Sequence, residues 1–338
     1  MHHFCTYFDH HYLPRGLALY FSLKEHCLSF QLWVLCMDHN CYKVLSQMSL
    51  PGLNPILHAD FEKEDGGLAE AKKNRNRIEY YFTCTPSLPL YIFRRQAEIA
   101  MITYLDADLF FFDSPAPLFD EIADNSIAVI GHRYARRLSR RFRYGTYNVG
   151  WISFRADENG LACLNWWREK CLEWCYDRFE NGRFADQKYL DAWPGLFQKL
   201  VVLQHKGANL APWNIGNYRI TYRDTKVWVD EQPLVFFHFH GLQQVAPSLY
   251  DPNFAGSRAK LSKTTRQHIF SPYIDTLWRL RTRYLPFTPS DPLPPGKRME
   301  SKVTGTNPRI WNMLDKAACA LLSVLNRNYL FVRNGRII

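Results

Sequence analysis

The sequence predicts an α/β fold, in which a mainly parallel sheet is flanked by helices and followed by a C-terminal helical appendage. The length of 338 residues, with 47% hydrophobic and 15% aromatic residues, supports a sizeable core and excludes a disordered protein. Short apolar runs alternate with helical patterns through residues 1–240, which is typical of strands connected by helical crossovers. After Gly241, proline and serine interrupt this alternation, which predicts a boundary between the sheet and the appendage.

Seven short apolar runs are the candidate strands of the sheet. They are Phe4–Phe8, Leu32–Cys36, Met101–Leu105, Ile127–Ile130, Val149–Phe154, Leu200–Leu203 and Leu234–Phe237. The segment Pro14–Glu25 is predicted to be a helix, because its proline suits a first helical turn and its apolar residues fall on one face. A second helix is predicted over Leu161–Phe179, whose tryptophan and leucine residues we assign to the core.

These patterns divide the chain into three regions. Residues 1–245 form the predicted α/β domain, residues 246–296 a Pro-rich connection, and residues 297–338 a basic C-terminal helical tail. Within the tail, Ile310–Leu325 carries apolar residues at helical spacing, with basic residues around them. Such a helix either lies on an anionic membrane surface or packs against the domain or a second subunit, and the sequence leaves both open.

The net charge of +10 is concentrated in two stretches, Arg133–Arg143 and the C-terminal tail. Basic stretches bind nucleic acid, anionic lipid or phosphorylated substrates, or they are plain solvated surface. Because no nucleic-acid-binding motif accompanies the charge, we expect no nucleic-acid partner. For Arg133–Arg143, contact with phosphate or lipid and solvated surface remain the two interpretations. For the tail, peripheral contact with an anionic membrane is one of the open interpretations.

Two features of the sequence, its cysteine pattern and its lack of long apolar segments, indicate the cell compartment. Nine cysteines without a C-x-x-C pair or a zinc spacing indicate a reducing compartment. The sequence shows neither an N-terminal signal nor an uninterrupted run of roughly 18 apolar residues. We therefore expect a cytoplasmic protein, either soluble or peripheral at the inner membrane.

Two carboxylates interrupt the buried pattern at the end of a strand. Asp106 and Asp108 directly follow Met101–Leu105, and two residues apart on an extended segment they point to the same face. A buried charge needs a partner or a metal, and open α/β sheets bind ligands beyond the carboxyl ends of their strands. We therefore predict a site for Mn²⁺ or Mg²⁺, which carboxylates bind together with phosphate oxygens. The alternative is an aspartate that caps a turn.

Polar and aromatic residues mark other strand ends. Tyr7 and Asp9 close the first strand, where they suit stacking on a base and hydrogen bonding to a ribose. No Gly-x-Gly-x-x-Gly or Walker A sequence occurs, which disfavours a Rossmann dinucleotide site and P-loop chemistry. Asn148 is either a turn former or a ligand of sugar hydroxyls, and Asp186 is either a helix N-cap or an acid of the site. His238, at a later strand end, suits a Mn²⁺ shell with two carboxylates.

Four motifs occur in the order and spacing of a known enzyme family. They are the D-x-D segment Tyr104–Asp108, the N-x-G segment Tyr147–Gly150, the D-Q segment Phe184–Gln187 and the H-x-x-G segment His238–Gly241. Over residues 4–241 the chain resembles the nucleotide-sugar-dependent glycosyltransferases of the GT-A fold, especially the retaining enzymes of glycosyltransferase family 8 and their bacterial relatives. It departs from them after the last motif, where Leu242–Gln244 stands in place of the family's Lys-Pro-Trp. The diphosphate-contacting lysine of the family is therefore missing at this position, and an arginine or lysine elsewhere in the chain is its candidate substitute.

The resemblance implies a GT-A catalytic domain over residues 1–245 and a role for single residues. The implied metal ligands are Asp106, Asp108 and His238, with His240 as the alternative to His238. The residues assigned to the nucleotide-sugar donor are Tyr7, Asp9, Arg77, Asp106, Asn148 and Asn209. Asp186 and Gln187 are the implied catalytic residues, Asp186 on the hydroxyls of the donor sugar and Gln187 on the face opposite the leaving group.

The implied activity is transfer of a hexose from a nucleotide diphosphate sugar, with a UDP-sugar favoured, to a glycan or lipid-linked acceptor. The implied cofactor is Mn²⁺ or Mg²⁺, and the implied setting is bacterial lipopolysaccharide or polysaccharide biosynthesis. Front-side retention of configuration is favoured, with the side chain or the backbone of Gln187 stabilising the sugar cation. Two alternatives stay open, an inverting transferase with Asp186 as general base and a non-catalytic domain that binds a nucleotide sugar. A sugar nucleotidyltransferase is disfavoured, because no Gly-rich, Arg-containing loop follows the first strand.

Overall fold

The structure is a computed structural model that describes residues 1–254, 257, 259–284 and 328–338. Its strands in chain order are β1 (His2–Phe8), β2 (Phe30–Cys36), β3 (Leu53–Leu57), β4 (Met101–Leu105), β5 (Leu109–Phe111), β6 (Ile127–Gly131), β7 (Tyr147–Arg155), β8 (Leu200–Leu203), β9 (Ile220–Arg223), β10 (Lys226–Val229), β11 (Gln232–Pro233), β12 (Phe236–His238), β13 (Gln243–Ala246), β14 (Leu249–Asp251), β15 (Leu330–Arg333) and β16 (Arg336–Ile337). Its α-helices are α1 (Leu13–His26), α2 (His39–Met48), α3 (His58–Lys63), α4 (Gly66–Lys72), α5 (Arg77–Cys84), α6 (Ser87–Arg95), α7 (Ala116–Ile122), α8 (Glu158–Glu173), α9 (Trp193–Leu196), α10 (Lys263–Thr265) and α11 (Ser271–Tyr284). Short 3-10 helices cover His10–Tyr12, Arg136–Tyr144, Gln187–Ala192 and Ile215–Asn217, and a π-helical turn, Arg266–Phe270, joins α10 to α11.

A seven-stranded sheet in the order β3-β2-β1-β4-β7-β6-β8 forms the centre of the molecule. Strand β1 runs parallel to β2 and β4, β2 is parallel to β3, and β6 is parallel to β8. Strand β7 runs antiparallel to both of its neighbours, β4 and β6. The sheet is therefore mainly parallel with helices on both faces, which confirms the predicted α/β class.

Side-chain alternation along the strands divides the core into two layers. In β1, Phe4 packs in one layer with residues of α1, α7 and α11, and Cys5 packs in the other with residues of α5, α6 and α8. Both faces of the sheet are buried, which is why its strands appear in the sequence as continuous apolar runs.

The predicted strands are confirmed, with shifts at some of their ends. Met101–Leu105 and Leu200–Leu203 have the expected bounds, and the last predicted strand begins later, at Phe236. The sequence pattern misses β3, whose Asn54 and Pro55 interrupt the apolar run. Strand β3 lies at the edge of the sheet, where a proline is tolerated.

Helix α1 confirms the predicted helix over Pro14–Glu25. Helix α8 ends at Glu173, so the predicted extension to Phe179 is wrong. Trp174 has an extended backbone, and the guanidinium group of Arg183 lies 4.7 Å from the centre of its ring. Cation–aromatic contacts explain the aromatic residues that follow the helix. Among the described residues, no helix has the length and apolar character needed to cross a membrane.

The described residues beyond 245 contain regular elements that pack into the same core. Helix α11 buries Tyr273 and β15 buries Leu330 in the layer that contains Phe4. The predicted Pro-rich connection over 246–296 therefore differs from the structure up to residue 284, because strands and a packed helix occupy this stretch. The region boundaries at 245 and 296 stay predictions. The predicted tail helix Ile310–Leu325 lies outside the described residues.

Candidate active site

A cavity of about 290 Å³ opens at the edge of the sheet where β1 and β4 end. Ligands of open α/β sheets bind at this edge. The predicted site residues that line the cavity are Tyr7, Asp9, Arg77, Asp106, Asp108, Asn148, Asp186, Gln187, His238 and His240. Asn209 is placed differently, because it is fully buried behind His238 and does not belong to the cavity wall.

Strand pairing brings residues that are distant in the sequence to this edge. Because β7 runs antiparallel to β4, its first residues lie beside the end of β4, and the backbone N–H of Asp106 donates to the carbonyl of Gly150 over 3.2 Å. Strand β5 begins directly after the D-x-D motif and pairs with β12, which places His238 opposite Leu109. The D-x-D and H-x-x-G motifs are thus held together by a sheet rather than by loops.

Two carboxylates and two imidazoles meet at one side of the cavity. Nε2 of His238 lies 3.1 Å from Oδ1 of Asp108 and 3.5 Å from Oδ2 of Asp106. Ligand atoms of Asp108, His238 and His240 all lie within 4.8 Å of one another. The structure therefore brings the predicted metal ligands and the alternative ligand His240 into one cluster.

Burial controls the charges of this cluster. Burial, reinforced by the charge of Asp108, raises the pKa of Asp106 to about 6. Burial also disfavours ionisation of Asp108, but the adjacent His238 outweighs it and lowers the pKa of Asp108 to about 2. The two carboxylates likewise raise the pKa of His238 against the effect of burial. A proton and a metal ion would therefore compete for the imidazole of His238.

The surroundings of His238 fit a metal ligand. Its Nε2 is buried and makes no hydrogen bond to any described residue, although a carboxylate oxygen of Asp108 is 3.1 Å away. On the other side of the ring, Nδ1 lies 3.4 Å from Oδ1 of Asn209, which can accept the ring proton. This tautomer leaves the lone pair on Nε2, as supporting hydrogen bonds do in metal sites. The residues present therefore fit a divalent metal.

The ring of Trp213 packs against both histidines of the cluster. Its ring lies 5.1 Å from that of His238 and 5.5 Å from that of His240, in edge-on contacts. Its indole N–H donates to the carbonyl of His132 over 2.8 Å. The indole thus fixes the distance between the cluster and the end of β6.

His132 determines the orientation of the Asn148 side chain. The amide group Nδ2 of Asn148 can only donate, so Nε2 of His132, 3.2 Å away, accepts. Oδ1 of Asn148 accepts from the backbone N–H of Gly150 over 3.1 Å. Burial lowers the pKa of His132 to about 3, which keeps the ring neutral and able to accept. The amide of Asn148 is therefore held in one orientation at the cavity wall.

Another part of the wall combines an oriented carboxylate with aromatic rings. Asp9 accepts hydrogen bonds from the backbone N–H of Tyr12 over 3.2 Å and from the hydroxyl of Tyr81 over 3.3 Å. Nη1 of Arg77, an exposed side chain, lies 3.9 Å from Oδ2 of Asp9. Tyr7 contributes a third ring to this wall. Such a wall can stack on a planar ring and accept hydrogen bonds from hydroxyl groups.

Three residues hold the D-Q pair, namely Thr85 after α5, Trp167 of α8 and Tyr144 of the 3-10 helix Arg136–Tyr144. Oγ1 of Thr85 donates to Oδ2 of Asp186 over 2.9 Å, and Trp167 donates to the Asp186 carbonyl over 2.9 Å. Asp186 stands at the N-cap position of the 3-10 helix, but its side chain makes no capping hydrogen bond, so capping alone does not explain this carboxylate. Nε2 of Gln187 donates to the carbonyl of Tyr144 over 3.1 Å, and its amide oxygen has no hydrogen bond within the described part of the chain.

Three supporting residues escape the sequence analysis, namely Thr85, His132 and Trp213. The rule that strand ends carry site residues could have found His132, because it directly follows β6. The only sequence signal near Thr85 is the proline that follows it, which predicts the end of a helix. Trp213 carries no local signal, because its role depends on contacts with histidines far along the chain.

Comparison with known proteins finds two relatives that are each 32% identical to this chain. No protein-family model matches it. Uncharacterized protein YfnD of Bacillus subtilis (strain 168) is 32% identical over 284 residues, which cover 82% of this chain and 89% of YfnD. The chain belongs to the family of YfnD. Uncharacterized protein YfnF of the same strain is also similar to it, with 32% identity over 251 residues that cover 72% of this chain and 82% of YfnF.

A solved structure identifies the fold of this YfnD-family chain. It is similar to the crystal structure of galactosyltransferase LgtC in complex with donor and acceptor sugar analogs, with a TM-score of 0.52. The match covers 81% of this chain and 95% of LgtC at 14% sequence identity. At that identity the likeness concerns the fold, which is the GT-A fold of glycosyltransferases, as predicted. Membership of glycosyltransferase family 8 stays a prediction.

Proposed function

We propose that this YfnD-family protein is a glycosyltransferase that moves a hexose from a nucleotide diphosphate sugar to a glycan or lipid-linked acceptor, with retention of configuration. A UDP-sugar is the favoured donor. The proposal is carried by the cluster of Asp106, Asp108, His238 and His240 beside a cavity at the carboxyl edge of a GT-A sheet. The donor and acceptor sugar analogs in the LgtC structure accord with such a reaction on this fold.

The cluster suits Mn²⁺ better than Mg²⁺. Mg²⁺ prefers an all-oxygen shell, whereas imidazole nitrogens and carboxylate oxygens together suit a transition metal. The residues that would hold the ion are Asp106, Asp108, His238 and His240. When bound, the metal would act as a Lewis acid that neutralises the charge of the departing diphosphate.

The remaining cavity wall suits the parts of a nucleotide sugar. Tyr7 and the fixed carboxylate of Asp9 would take the base and the ribose hydroxyls. The ion pair of Arg77 with Asp9 is long and exposed, hence weak, so the guanidinium group could turn to a phosphate. Nδ2 of Asn148 donates one of its two protons to His132, and the second suits a hydroxyl of the sugar.

The D-Q pair suits the charge that develops on the sugar. Breaking the bond to the diphosphate gives the ring oxocarbenium character. The amide oxygen of Gln187 carries partial negative charge and would stabilise this cation from the cavity wall. Asp186, held by Thr85, would accept hydrogen bonds from sugar hydroxyls and orient the ring. We further propose that the enzyme acts in the cytoplasm on acceptors at the inner membrane, with the basic tail from residue 297 up to β15 as its membrane contact.

Donor hydrolysis without an acceptor tests this function. Release of UDP from UDP-glucose and UDP-galactose would be measured with and without Mn²⁺. We expect hydrolysis that requires Mn²⁺ and falls by more than ~100-fold in Asp108→Asn, because a metal ligand is lost. The same change at an exposed position of α7, Asp120→Asn, serves as the control and should have no effect. Failure of every nucleotide sugar to bind in the presence of Mn²⁺ would refute the proposal.

Product stereochemistry separates the remaining mechanisms. With an acceptor sugar in place, nuclear magnetic resonance of the first product gives the configuration of the new bond. A retained configuration supports the role given to Gln187, and an inverted one would assign the general base to Asp186. Donor binding without hydrolysis or transfer would instead identify a non-catalytic nucleotide-sugar-binding protein.

A further inference from the structure

The basic segment Arg136–Tyr144 connects two walls of the proposed active site. At one end, Leu138 packs in a small apolar cluster with Trp213, whose ring contacts both histidines of the metal cluster. At the other end, the carbonyl of Tyr144 accepts a hydrogen bond from Gln187 over 3.1 Å. The segment is therefore anchored at the rim of the cavity, on the side of Gln187.

The helix type of this segment aligns its arginines. Residues three apart share a face of a 3-10 helix, and each turn advances about 6 Å. The face that begins with Leu138 is buried or half-buried. The next face carries Arg137, Arg140 and Arg143, all three exposed. These three residues are the arginine row.

Two members of the arginine row, Arg137 and Arg143, have side-chain contacts that leave their charge unpaired. Nε of Arg137 donates to the carbonyl of Ser257 over 3.3 Å, and the guanidinium group of Arg143 lies 4.4 Å from the centre of the Phe179 ring. Among the described residues, no carboxylate lies within ion-pair distance of the three guanidinium groups. Exposed like charges that follow one another at about 6 Å along one face repel each other, so an anionic ligand would stabilise this arrangement.

We propose that the arginine row binds a phosphate group carried by the acceptor. The inference rests on the proposed function. With retention, the acceptor enters on the face of the leaving diphosphate, and the segment reaches that face through Leu138 and Trp213, whose ring contacts the metal cluster. All three cations are arginines, whose guanidinium forks bind phosphate oxygens in pairs, whereas a membrane surface attracts lysine equally well. The acceptor class is thus a phosphorylated glycan or a phosphate-linked sugar.

Binding of inorganic tripolyphosphate to the full-length protein tests the row directly. The titration is done calorimetrically with a chelator present, so that the metal cluster contributes no binding. We expect the double variant Arg140→Gln/Arg143→Gln to bind roughly tenfold more weakly or worse, since two charge-assisted contacts are lost. Lys43→Gln/Arg94→Gln removes the same charge from exposed positions of α2 and α6 and should bind like the wild type.

Three outcomes would overturn the assignment. The variant Arg140→Lys/Arg143→Lys keeps the charge and loses the fork, so binding equal to the wild type would contradict a phosphate site. Equal binding of polyglutamate would show unspecific attraction of anions. Binding only to mixed phosphatidylcholine and phosphatidylglycerol vesicles would identify a membrane contact instead.

Donor hydrolysis separates this inference from the proposed function. Neither Arg140 nor Arg143 lines the cavity, so Arg140→Gln/Arg143→Gln should hydrolyse the donor like the wild type. Phosphate binding by a protein that hydrolyses no donor would refute the proposed function and leave the arginine row as a phosphate site. Hydrolysis without phosphate binding would refute the arginine row alone.

Discussion

The side chain of Asn209 orients the imidazole of His238 through Nδ1 of the ring. The backbone conformation of Asn209 allows a substitution that tests this role without adding strain. Its φ of 57° lies in the left-handed region, which glycine adopts without strain. We expect Asn209→Gly to weaken Mn²⁺ binding by about 10- to 100-fold, because the acceptor for Nδ1 of His238 is lost. The measurement is the free Mn²⁺ signal in electron paramagnetic resonance.

A matched control exists for this substitution. Asn181 is exposed and also has a left-handed backbone, with φ of 49°. Asn181→Gly should leave the affinity for Mn²⁺ unchanged. Equal affinities in the two variants would show that Asn209 does not orient the metal ligand.

His132 should make the stability of the protein depend on pH. Burial lowers its pKa from 6.5 to about 3, so between these values the unfolded chain binds more protons than the folded one. Stability contributed by the neutral ring is therefore lost as the pH falls below 6.5. The loss by about pH 5 should be about 2 kcal/mol, at about 1.4 kcal/mol per pH unit.

Urea unfolding at several pH values measures this slope. His132→Gln removes the titrating group, so the variant should lose less stability than the wild type between about pH 6.5 and pH 5. His39→Gln, at an exposed position, should keep the slope of the wild type. Identical slopes in all three proteins would place the proton uptake elsewhere.

The sequence identifies the charged residues of the candidate site better than the residues that orient them. Asp106, Asp108 and His238 stand out because they interrupt or end apolar runs. Asn209 and His132 act through contacts with residues distant in the sequence, so no local pattern distinguishes them. The resemblance assigns Asn209 to the donor, whereas the structure places it against a metal-ligand candidate.

At the scale of elements, an ion pair joins the start of α4 to α8. Asp65, the N-cap of α4, is buried, and Arg168 of α8 is half-buried. Nε of Arg168 donates to Oδ2 of Asp65 over 2.7 Å, and a second guanidinium nitrogen contacts Oδ1. Burial alone would raise the pKa of Asp65, but Arg168 outweighs it and lowers the pKa. We expect Asp65→Asn to lower the free energy of unfolding at pH 7 by about 2–3 kcal/mol, because the arginine is left without its charge partner.

The pH dependence of this effect follows from the lowered pKa. The pair contributes stability above the unfolded pKa of 3.8, and the contribution is lost as the pH falls through the folded pKa. Asp65→Asn and the wild type should therefore converge in strong acid, as measured by urea unfolding. Glu70→Gln, which breaks an exposed pair with Lys73, should cost less than about 0.5 kcal/mol and is the control. A constant difference between Asp65→Asn and the wild type at every pH would contradict the ion-pair explanation.

Strands are easier to predict from this sequence than their pairing. A strand buried on both faces has no alternation of polar and apolar residues, so its sequence does not fix its register or direction. The reversed direction of β7 and the pairing of β12 with β5 therefore had no sequence signal. Both matter for the site, because they bring Asn148 and His238 to the D-x-D motif.

At the scale of the whole molecule, the boundary of the core could not be predicted. Proline and serine residues after Gly241 indicate a connection, yet α11 and β15 fill the layer below the sheet. Strand β15 is four residues long, from Leu330 to Arg333, and carries too short a pattern to be recognised. Its burial results from pairing with β14, about eighty residues earlier in the chain.

Leu330 and Phe331 are neighbours in β15, and substitutions at these two positions test whether this strand belongs to the GT-A core. Leu330 is fully buried, whereas Phe331 is 56% exposed on the opposite face. We expect Leu330→Ala to lower the free energy of unfolding by about 2–4 kcal/mol, and Phe331→Ala by less than about 1 kcal/mol. Urea unfolding of the full-length protein measures both values. If β15 is part of one cooperative core, Leu330→Ala shifts the main transition, because the leucine packs in the layer that supports β1. A separate early transition with an unchanged main midpoint would instead show a dispensable appendage.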